Sequence, residues 1–306
     1  MSSTPTLIVI CGPTAVGKTK LAIEVAKAFD AEIISADSRQ FFKEISIGTA
    51  KPNAEELETV THHFVNNKSI SESYNASDFE YEVLDFLEDY FKSNSIAVMC
   101  GGSGMYINAV CEGFDIEVPT ADEVIRNELN QEFEKKGISV LQEKLKQLDP
   151  EFYSHVDLNN HKRLLRAIEV CLITGKSYSS IRKGEKKQRP FKTIKIGLEM
   201  DRKKLYHRIN QRVEQMMEEG LLNEVKSVKQ YKSKNALKTV GYKELFNFLD
   251  DEWNLDFAID KIKINSRRYA KRQLTWFKKD SQITWFNPDK NSELIAYIRR
   301  RTNHGE

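Results

Sequence analysis

Cysteine is scarce in this chain of 306 residues, and no two cysteines form a C-x-x-C pair. The four that are present, Cys11, Cys100, Cys111 and Cys171, are scattered along the sequence. Disulfide frameworks and zinc sites need closely grouped cysteines, so the sequence favours neither. Scattered cysteines are typical of reduced thiols, and we expect a cytoplasmic protein.

Long apolar runs are missing as well, since none approaches the roughly 20 residues that a membrane span requires. The first residues, Met1–Pro5, contain no basic side chain and precede no extended apolar segment, so no secretory signal is expected. Hydrophobic residues make up 40% and charged residues 30% of the chain, which is ordinary for a protein that buries a core. We therefore expect no membrane partner.

Net charge is small, at +2, but the charges are unevenly distributed. Residues 1–150 carry 13 basic and 25 acidic side chains, whereas residues 151–306 carry 34 basic and 20 acidic ones. A basic second half indicates a polyanion bound mainly by that half. Solvated helix faces explain such a charge distribution about equally well.

A phosphate-binding loop stands near the start of the chain, between an apolar run and a helix-like segment. The segment fits the pattern G-x-x-x-x-G-K-[ST], the P-loop motif of nucleotide-binding, often ATP-binding, proteins. Its glycines let backbone N–H groups surround a diphosphate, and the helix beginning adds positive potential. The residues of the loop are Gly12, Pro13, Thr14, Ala15, Val16, Gly17, Lys18 and Thr19.

Strands and helices alternate in the first third of the chain, which predicts an α/β fold with a P-loop NTPase-like parallel sheet flanked by helices. Strands are predicted at 7–11, 32–36, 96–100 and 193–199, with a short one at 283–286, and helices at 18–29 and 78–91. Residues from about 121 to 175 have helical periodicity only. We therefore predict an inserted all-helical subdomain, 118–189, between core segments 1–117 and 190–306.

An acidic residue follows the second predicted strand, where Asp37 precedes Ser38, Arg39 and Gln40. The carboxyl end of a parallel strand lies on the ligand-binding side of an α/β sheet, so Asp37 is a candidate base beside the diphosphate. Most P-loop NTPases also place an acid after a second buried strand. Here the strand 96–100 is followed by Gly101 and Gly102 instead, which argues against nucleotide hydrolysis.

Eight segments, in order along nearly the whole chain, resemble the bacterial tRNA dimethylallyltransferases, also called tRNA isopentenyltransferases. The combination of D-S-R-Q, G-T-A-K-P and H-H in this order is far more specific than the P-loop alone. The segments are Gly12–Thr19, Ser35–Gln40, Ile47–Pro52, His62–Phe64, Gly101–Tyr106, Arg163–Val170, Val240–Glu244 and Arg267–Gln273.

The resemblance implies transfer of a dimethylallyl group from dimethylallyl diphosphate to N6 of the adenosine at position 37 of tRNAs reading codons that begin with U. The P-loop then holds the diphosphate leaving group, with Mg²⁺ as cofactor and Thr19 as its protein contact. Asp37 resembles the general base that takes the proton from N6, and Arg208 resembles a second cationic contact of the diphosphate. Asp37, Thr19 and Arg208 are thus the implied catalytic residues.

The resemblance also implies a binding surface for the tRNA anticodon stem-loop, in a protein that we expect to be a monomer. The implied contacts are Asp37, Ser38, Arg39, Gln40, Ser103, Arg126, Lys162, Arg163, Arg166, Lys238, Gly241 and Tyr242. Near the C-terminus, Ile262, Tyr269 and Trp276 recur every seven residues, so we expect a buried helix face rather than base-stacking platforms.

Three other functions are compatible with a P-loop. An adenylate isopentenyltransferase acts on a free nucleotide and needs neither a helical insertion nor a basic second half. A nucleotide kinase needs the acid that is missing after the strand 96–100. A non-enzymatic RNA-binding protein does not need the intact Lys18, Thr19 and Asp37. The tRNA dimethylallyltransferase hypothesis accounts for all these features together.

Overall fold

The computed structural model of the chain describes residues 4–113, 119, 121–182 and 186–303. Two compact units are present: a core unit, formed by Met1–Cys111 with Arg189–Glu306, and a helical unit, Glu112–Gln188. The helical unit thus interrupts the sequence of the core unit. Residues 117 and 118, where the sequence analysis puts the first boundary, lie outside the described residues, and the units instead divide after Cys111.

A parallel sheet forms the centre of the core unit. Its strands, within the described residues, are β1 (Thr6–Cys11), β2 (Ile33–Ser35), β3 (His62–His63), β4 (Ile96–Gly101), β5 (Lys192–Leu198) and β6 (Thr284–Phe286). Their order is β3–β2–β4–β1–β5–β6, and every pairing is parallel. The predicted α/β fold is confirmed; β3, with two residues, is too short to show a periodicity.

The central strand β1 is buried along its whole length, because helices cover both faces of a parallel sheet. Thr6 lies opposite Ile96 of β4 on one side and Lys192 of β5 on the other. The carboxyl ends of these three strands therefore meet at one edge, where the P-loop leaves β1.

Helices surround the sheet and extend the core unit. In the first segment they are α1 (Lys18–Phe29), α2 (Ala54–Thr59), α3 (Ala76–Tyr90) and α4 (Gly104–Glu112). In the second segment they are α10 (Arg202–Glu218), α11 (Leu221–Ser227), α12 (Tyr242–Leu249), α13 (Leu255–Phe277) and α14 (Asn291–Asn303).

Two of the hydrophobic clusters in the described part of the core unit link distant segments of the chain. One joins the sheet to α1, α10 and α14, with Ile8, Leu21, Leu205 and Ile298 at its centre. The other, around Tyr242, joins α10 to α13 with the loop after β2. Because the second cluster buries side chains of that loop, helices far along the sequence fix the segment that follows Asp37.

The helical unit has its own core. Its helices, within the described residues, are α5 (Glu123–Lys136), α6 (Ile138–Leu148), α7 (Pro150–His155), α8 (His161–Thr174) and α9 (Tyr178–Ile181). Leu141, Leu145, Leu164 and Ile168 are completely buried between them. Asp149 is also buried, and it accepts hydrogen bonds from the backbone of Phe152 and Ser179, which fixes two helix beginnings.

Candidate active site

The P-loop depends on left-handed backbone at three positions, Gly12, Ala15 and Gly17, whose φ angles are 149°, 63° and 107°. A Cβ atom on Gly12 would lie 2.8 Å from the carbonyl oxygen of Leu198, so this position has no room for a side chain. Gly17 immediately precedes α1, a helix of 12 residues. Loop N–H groups and the helix beginning thus form a site for an anion.

Three cationic side chains lie around this loop. The Nζ of Lys18 donates to the carbonyl oxygen of Pro13 at 2.9 Å. An Nη atom of Arg208 lies 3.6 Å from the place that a Cβ on Gly17 would take. Arg212 donates through Nη1 to the hydroxyl of Thr14 at 3.4 Å. Together they supply the positive charge that a diphosphate requires.

The charges of these groups interact with one another and with Asp37. Burial lowers the pKa of Lys18, and the carboxylate of Asp37 opposes that shift. Burial also lowers the pKa of Arg212, which Asp37 again opposes and Arg208 reinforces. Asp37 is therefore close enough to two P-loop cations to act on them electrostatically.

Asp37 follows β2 in a segment held by its own backbone. Its Oδ1 accepts from the N–H of Arg39 at 3.0 Å. The N–H of Ser38 donates to the hydroxyl of Ser103, in the turn after the neighbouring strand β4, at 2.9 Å. The two strand ends approach so closely that a Cβ on Gly101 would lie 2.1 Å from the carbonyl oxygen of Ala36. The glycine that ends β4 is thus required for contact with the Asp37 segment.

Gln273, on α13, joins two loops of the site. Its Oε1 accepts from the N–H of Thr14 at 2.8 Å, and its Nε2 donates to the carbonyl oxygen of Gly102 at 2.9 Å. The side chain is buried, so both of its polar ends depend on these partners. Gln273 therefore fixes the P-loop relative to the turn after β4.

Tyr269 lies one helical turn before Gln273 and faces the same region. Burial raises the pKa of Tyr269 to about 12; the Asp37 carboxylate adds to that shift, and a hydrogen bond with Ser103 opposes it. Its hydroxyl is therefore neutral at physiological pH and stands beside the Asp37 segment.

Tyr269 and Gln273 belong to Arg267–Gln273, one of the eight segments on which the family resemblance rests. Arg212, in contrast, is a residue of the site that the sequence analysis did not identify. Arg212 stands four residues after Arg208 on α10, and that spacing puts both side chains on one helix face. This i, i+4 pair was the available signal.

The prediction that Ile262, Tyr269 and Trp276 form a buried face of α13 is only partly correct. Ile262 is buried and Tyr269 is half-buried, but the side chain of Trp276 is 42% exposed. Trp276 lies against Gly104, and together with Arg268, Lys271, Arg272, Thr275 and Lys279 it lines a surface cavity of about 410 Å³. The prediction that Trp276 is a core residue is therefore wrong.

The sequence-derived tRNA contacts of the core unit differ in their surroundings. Lys238 is exposed, and Arg39 is half-buried and donates to the carbonyl oxygen of Ser38. Gln40 donates to the carbonyl oxygens of Thr49 and Ala50. These bonds commit Gln40 to the organisation of its own loop.

The burial of Tyr242 does not fit its predicted role as a tRNA contact. Its side chain is completely buried, and its hydroxyl donates to Glu224 at 2.6 Å. Gly241, which precedes it, is also buried. A buried ring cannot contact RNA from the surface, so the prediction of a tRNA contact by the Tyr242 side chain is wrong.

Within the helical unit, α8 carries three of the predicted basic residues, Lys162, Arg163 and Arg166, and α5 carries Arg126. Lys162 and Arg163, in its first turn, are exposed. Arg166 and Arg126 both bind the carboxylate of Glu169, each at 2.7 Å, and Arg166 also donates to the carbonyl oxygen of Pro119. Glu169 is buried, so it orients two arginines whose side chains remain 30% and 45% exposed.

Oxygen donors at the P-loop fit a hard divalent cation. Thr19, in the first turn of α1, offers a hydroxyl, and Asp37 offers a carboxylate in the same region. Mg²⁺ prefers such ligands and completes its coordination with phosphate oxygens and water. In the described part of the chain, no group of three or more His, Cys, Asp or Glu side chains is arranged to hold a metal ion.

Within the described ranges, no helix is both long enough and apolar enough to cross a membrane.

Comparison with known proteins gives a consistent result. A family model described as IPP transferase matches residues 40–280. The chain is 49% identical over 295 residues to tRNA dimethylallyltransferase 1 of Bacteroides thetaiotaomicron, and the match covers 96% of each protein. It is 51% identical over 298 residues to tRNA dimethylallyltransferase of Christiangramia forsetii, covering 97% of this chain and 98% of that protein.

Solved structures are similar along nearly the full length. The tRNA isopentenylpyrophosphate transferase of Bacillus halodurans superposes with a TM-score of 0.74 at 37% identity, covering 98% of this chain and 97% of that one. A eukaryotic dimethylallyltransferase acting on tRNA gives a TM-score of 0.76 at 27% identity, covering 95% of this chain and 77% of that one. The chain therefore belongs to the IPP transferase family.

Proposed function

We propose that this protein transfers the dimethylallyl group of dimethylallyl diphosphate to N6 of adenosine at position 37 of tRNAs that read codons beginning with U. The observation that carries the proposal is the geometry that joins the Asp37 segment to the P-loop: Ser38 bonds to Ser103 in the turn after β4, and Gln273 bonds that turn to the P-loop. A base and an anion site thus adjoin at one edge of the sheet. The names of the relatives support the same activity.

The P-loop holds the diphosphate leaving group. Charge accumulates on the diphosphate as the allylic C–O bond breaks, and Lys18, Arg208 and Arg212 neutralise it at fixed positions. The family relationship supports a divalent metal, and we propose Mg²⁺ with Thr19 as its protein contact. When bound, the ion supplies further positive charge to the phosphate oxygens.

Asp37 acts as the general base. The exocyclic amine of adenine is a weak nucleophile, and a carboxylate placed beside it accepts the proton as the new C–N bond forms. The bond from the Arg39 N–H to Asp37 and the bond from the Ser38 N–H to Ser103 hold this carboxylate in place. Tyr269, neutral and adjacent, offers a hydroxyl to a bound base.

The RNA partner is an anticodon stem-loop. Exposed Lys162 and Arg163 supply cations on the helical unit, which contact phosphates without reading sequence. On the core unit, exposed Trp276 stands among cations, an arrangement suited to an unstacked base of a single-stranded loop. The substrate places the enzyme in the cytoplasm, where we propose that it acts as a monomer.

Transfer to a free nucleotide is the main competing function. A labelled-donor assay separates the two: the protein is incubated with dimethylallyl diphosphate, Mg²⁺ and either tRNA, AMP or ATP. We expect label on tRNA alone, at the adenosine beside the anticodon. Label on AMP or ATP but not on tRNA would show an adenylate isopentenyltransferase instead.

A further inference from the structure

Glu224, on α11, uses its carboxylate to hold a loop nearly 180 residues earlier in the chain. Oε2 accepts from the N–H groups of Ser46 and Ile47, at 2.6 and 2.8 Å. Oε1 accepts from the N–H of Gly48 at 3.0 Å and from the hydroxyl of Tyr242 at 2.6 Å. A carboxylate has about four acceptor positions, so this one is fully used.

The loop held in this way, residues 46–50, contacts the Asp37 segment through Gln40. Nε2 of Gln40 donates to the carbonyl oxygens of Thr49 and Ala50, at 3.3 and 3.1 Å. Oε1 of Gln40 accepts from the hydroxyl of Ser35 at 2.9 Å. Ser35 and Gln40 are on either side of Asp37 in sequence, so the loop sets the conformation of the segment that carries the base.

The hydrophobic packing of the loop is limited to Ile47, which is partly buried against the cluster around Tyr242. No side chain from Ser46 to Ala50 is buried. Close contact comes instead from Gly48, where a Cβ would lie 2.6 Å from the ring of Tyr242. Nζ of Lys51 adds a bond to the carbonyl oxygen of Phe42 at 2.5 Å and one to Oδ1 of Asn66 at 2.6 Å. Polar contacts, with Glu224 at their centre, therefore add to the packing of Ile47 in holding the loop.

We propose that Glu224 and Tyr242 are positioning residues for Asp37, acting through the loop 46–50 and Gln40. This inference rests on the proposed function, in which Asp37 is the general base. Glu224 accepts hydrogen bonds from three backbone N–H groups of the loop. The hydroxyl of Tyr242 orients Oε1 of Glu224, and the ring of Tyr242 packs against Gly48. Neither side chain contacts the substrates in this arrangement.

The test uses Glu224→Gln in the full-length protein. An amide keeps one acceptor oxygen and turns an NH₂ group toward N–H donors, so part of the loop loses its partner. We expect kcat for transfer to tRNA to fall about 10- to 100-fold, the range for a misplaced catalytic group. KM for dimethylallyl diphosphate should change less than about twofold, since the cations around the P-loop stay in place.

The same substitution made in the Asp37→Asn variant separates a positioning role of Glu224 from a general loss of structure. If Glu224 acts through Asp37, then Glu224→Gln should change the residual single-turnover rate of Asp37→Asn less than about twofold, because the group being positioned is already lost. Val225→Ala is the matched control, because Val225 is buried on the same helix but makes no bond to the loop. It should lower the melting temperature and leave kcat unchanged.

Tyr242→Phe keeps the three backbone bonds and gives a milder variant that tests the same point if Glu224→Gln does not fold. Because Oε1 of Glu224 loses the hydrogen bond that orients it, Tyr242→Phe should lower kcat about threefold in the parent protein. In the Asp37→Asn variant it should have no effect. A normal kcat in folded Glu224→Gln, or a further loss in Asp37→Asn, would overturn the inference. Absence of transfer by the parent protein would overturn the proposed function instead.

Discussion

Asp37 has neighbours that fix the position of its carboxylate. One carboxylate oxygen accepts from the backbone of Arg39, and the side chain interacts with the charges of Lys18 and Arg212. A base that is held on one oxygen keeps the other available to a substrate amine.

Replacement of Asp37 by Asn should reduce turnover by about 10²- to 10⁴-fold, the usual contribution of a general base. The amide has the same size and can still accept from Arg39, so tRNA affinity should be nearly unchanged. Steady-state kinetics with filter binding measures both quantities. Unaltered turnover would remove Asp37 from the mechanism.

Lys51 makes stability depend on pH. Burial lowers the pKa of Lys51 to about 8 from an ordinary value of 10.5. Between these two pKa values the unfolded chain keeps a proton that the folded protein has released, so the free energy of unfolding should rise with pH through this window. Below the lower pKa both states are protonated and the dependence disappears.

The measurement is denaturant unfolding of the parent protein and of Lys51→Met, from about pH 7 to about pH 10.5. The free energy of unfolding of the parent should increase relative to that of the variant, since only the parent carries the titrating amine. A constant difference across this range would contradict the pKa shift.

Among the helices, α8 combines surface cations with a buried carboxylate. Glu169 accepts from Arg126, from Arg166 and from the backbone N–H of Asp122 at 3.1 Å. Its partners come from α5, from α8 itself and from the residue that caps α5. One side chain thus fixes the beginning of α5 and the direction of two arginines.

Glu169→Gln should lower the free energy of unfolding by about 1–3 kcal/mol, because a buried group loses charge-assisted partners. The exposed Glu143→Gln on α6 is the matched control and should be close to neutral. Chemical denaturation compares the two. Equal stability of both variants would mean that the arginines, half-exposed, do not need this carboxylate.

Helix α13 serves two regions of the core unit. Gln273 is buried and joins the P-loop to the turn after β4, whereas Trp276, less than one turn later, is exposed among cations. The seven-residue recurrence of Ile262, Tyr269 and Trp276 could not predict the exposure of Trp276, since it indicates only that the three side chains share a helix face. Trp276 lies against Gly104, which follows the turn after β4, and this contact could not be predicted from the sequence of α13.

Charge over the whole molecule predicts how tRNA binding responds to salt. Each phosphate contact releases counterions, so affinity falls as salt rises. Lys162→Ala with Arg163→Ala, both in exposed positions, should weaken tRNA binding and reduce the slope of affinity against salt by about 2, one for each lost contact. Dimethylallyl diphosphate affinity should not change; a loss confined to the diphosphate would contradict the assignment.

Sequence reasoning predicted the features that depend on neighbouring residues. The P-loop follows from glycines needed for left-handed backbone, and Asp37 from its place after an apolar strand. Gln273 and Glu224 could not be assigned in this way. Their partners, Thr14 and the loop 46–50, are 259 and about 177 residues away, and only tertiary packing brings them together. The burial of Tyr242 has the same origin.

The place of β1 between β4 and β5 has a consequence for the newly made chain. β1 can pair with β4 as soon as Gly101 has left the ribosome, but its other edge must wait for Lys192. At roughly 5–20 residues per second, the 90 intervening residues take about 5 to 20 s to synthesise. During that interval the helical unit, which has its own core, is completed while the most buried strand still has an open edge. The unpaired edge of β1 is thus open to wrong strand pairing during synthesis.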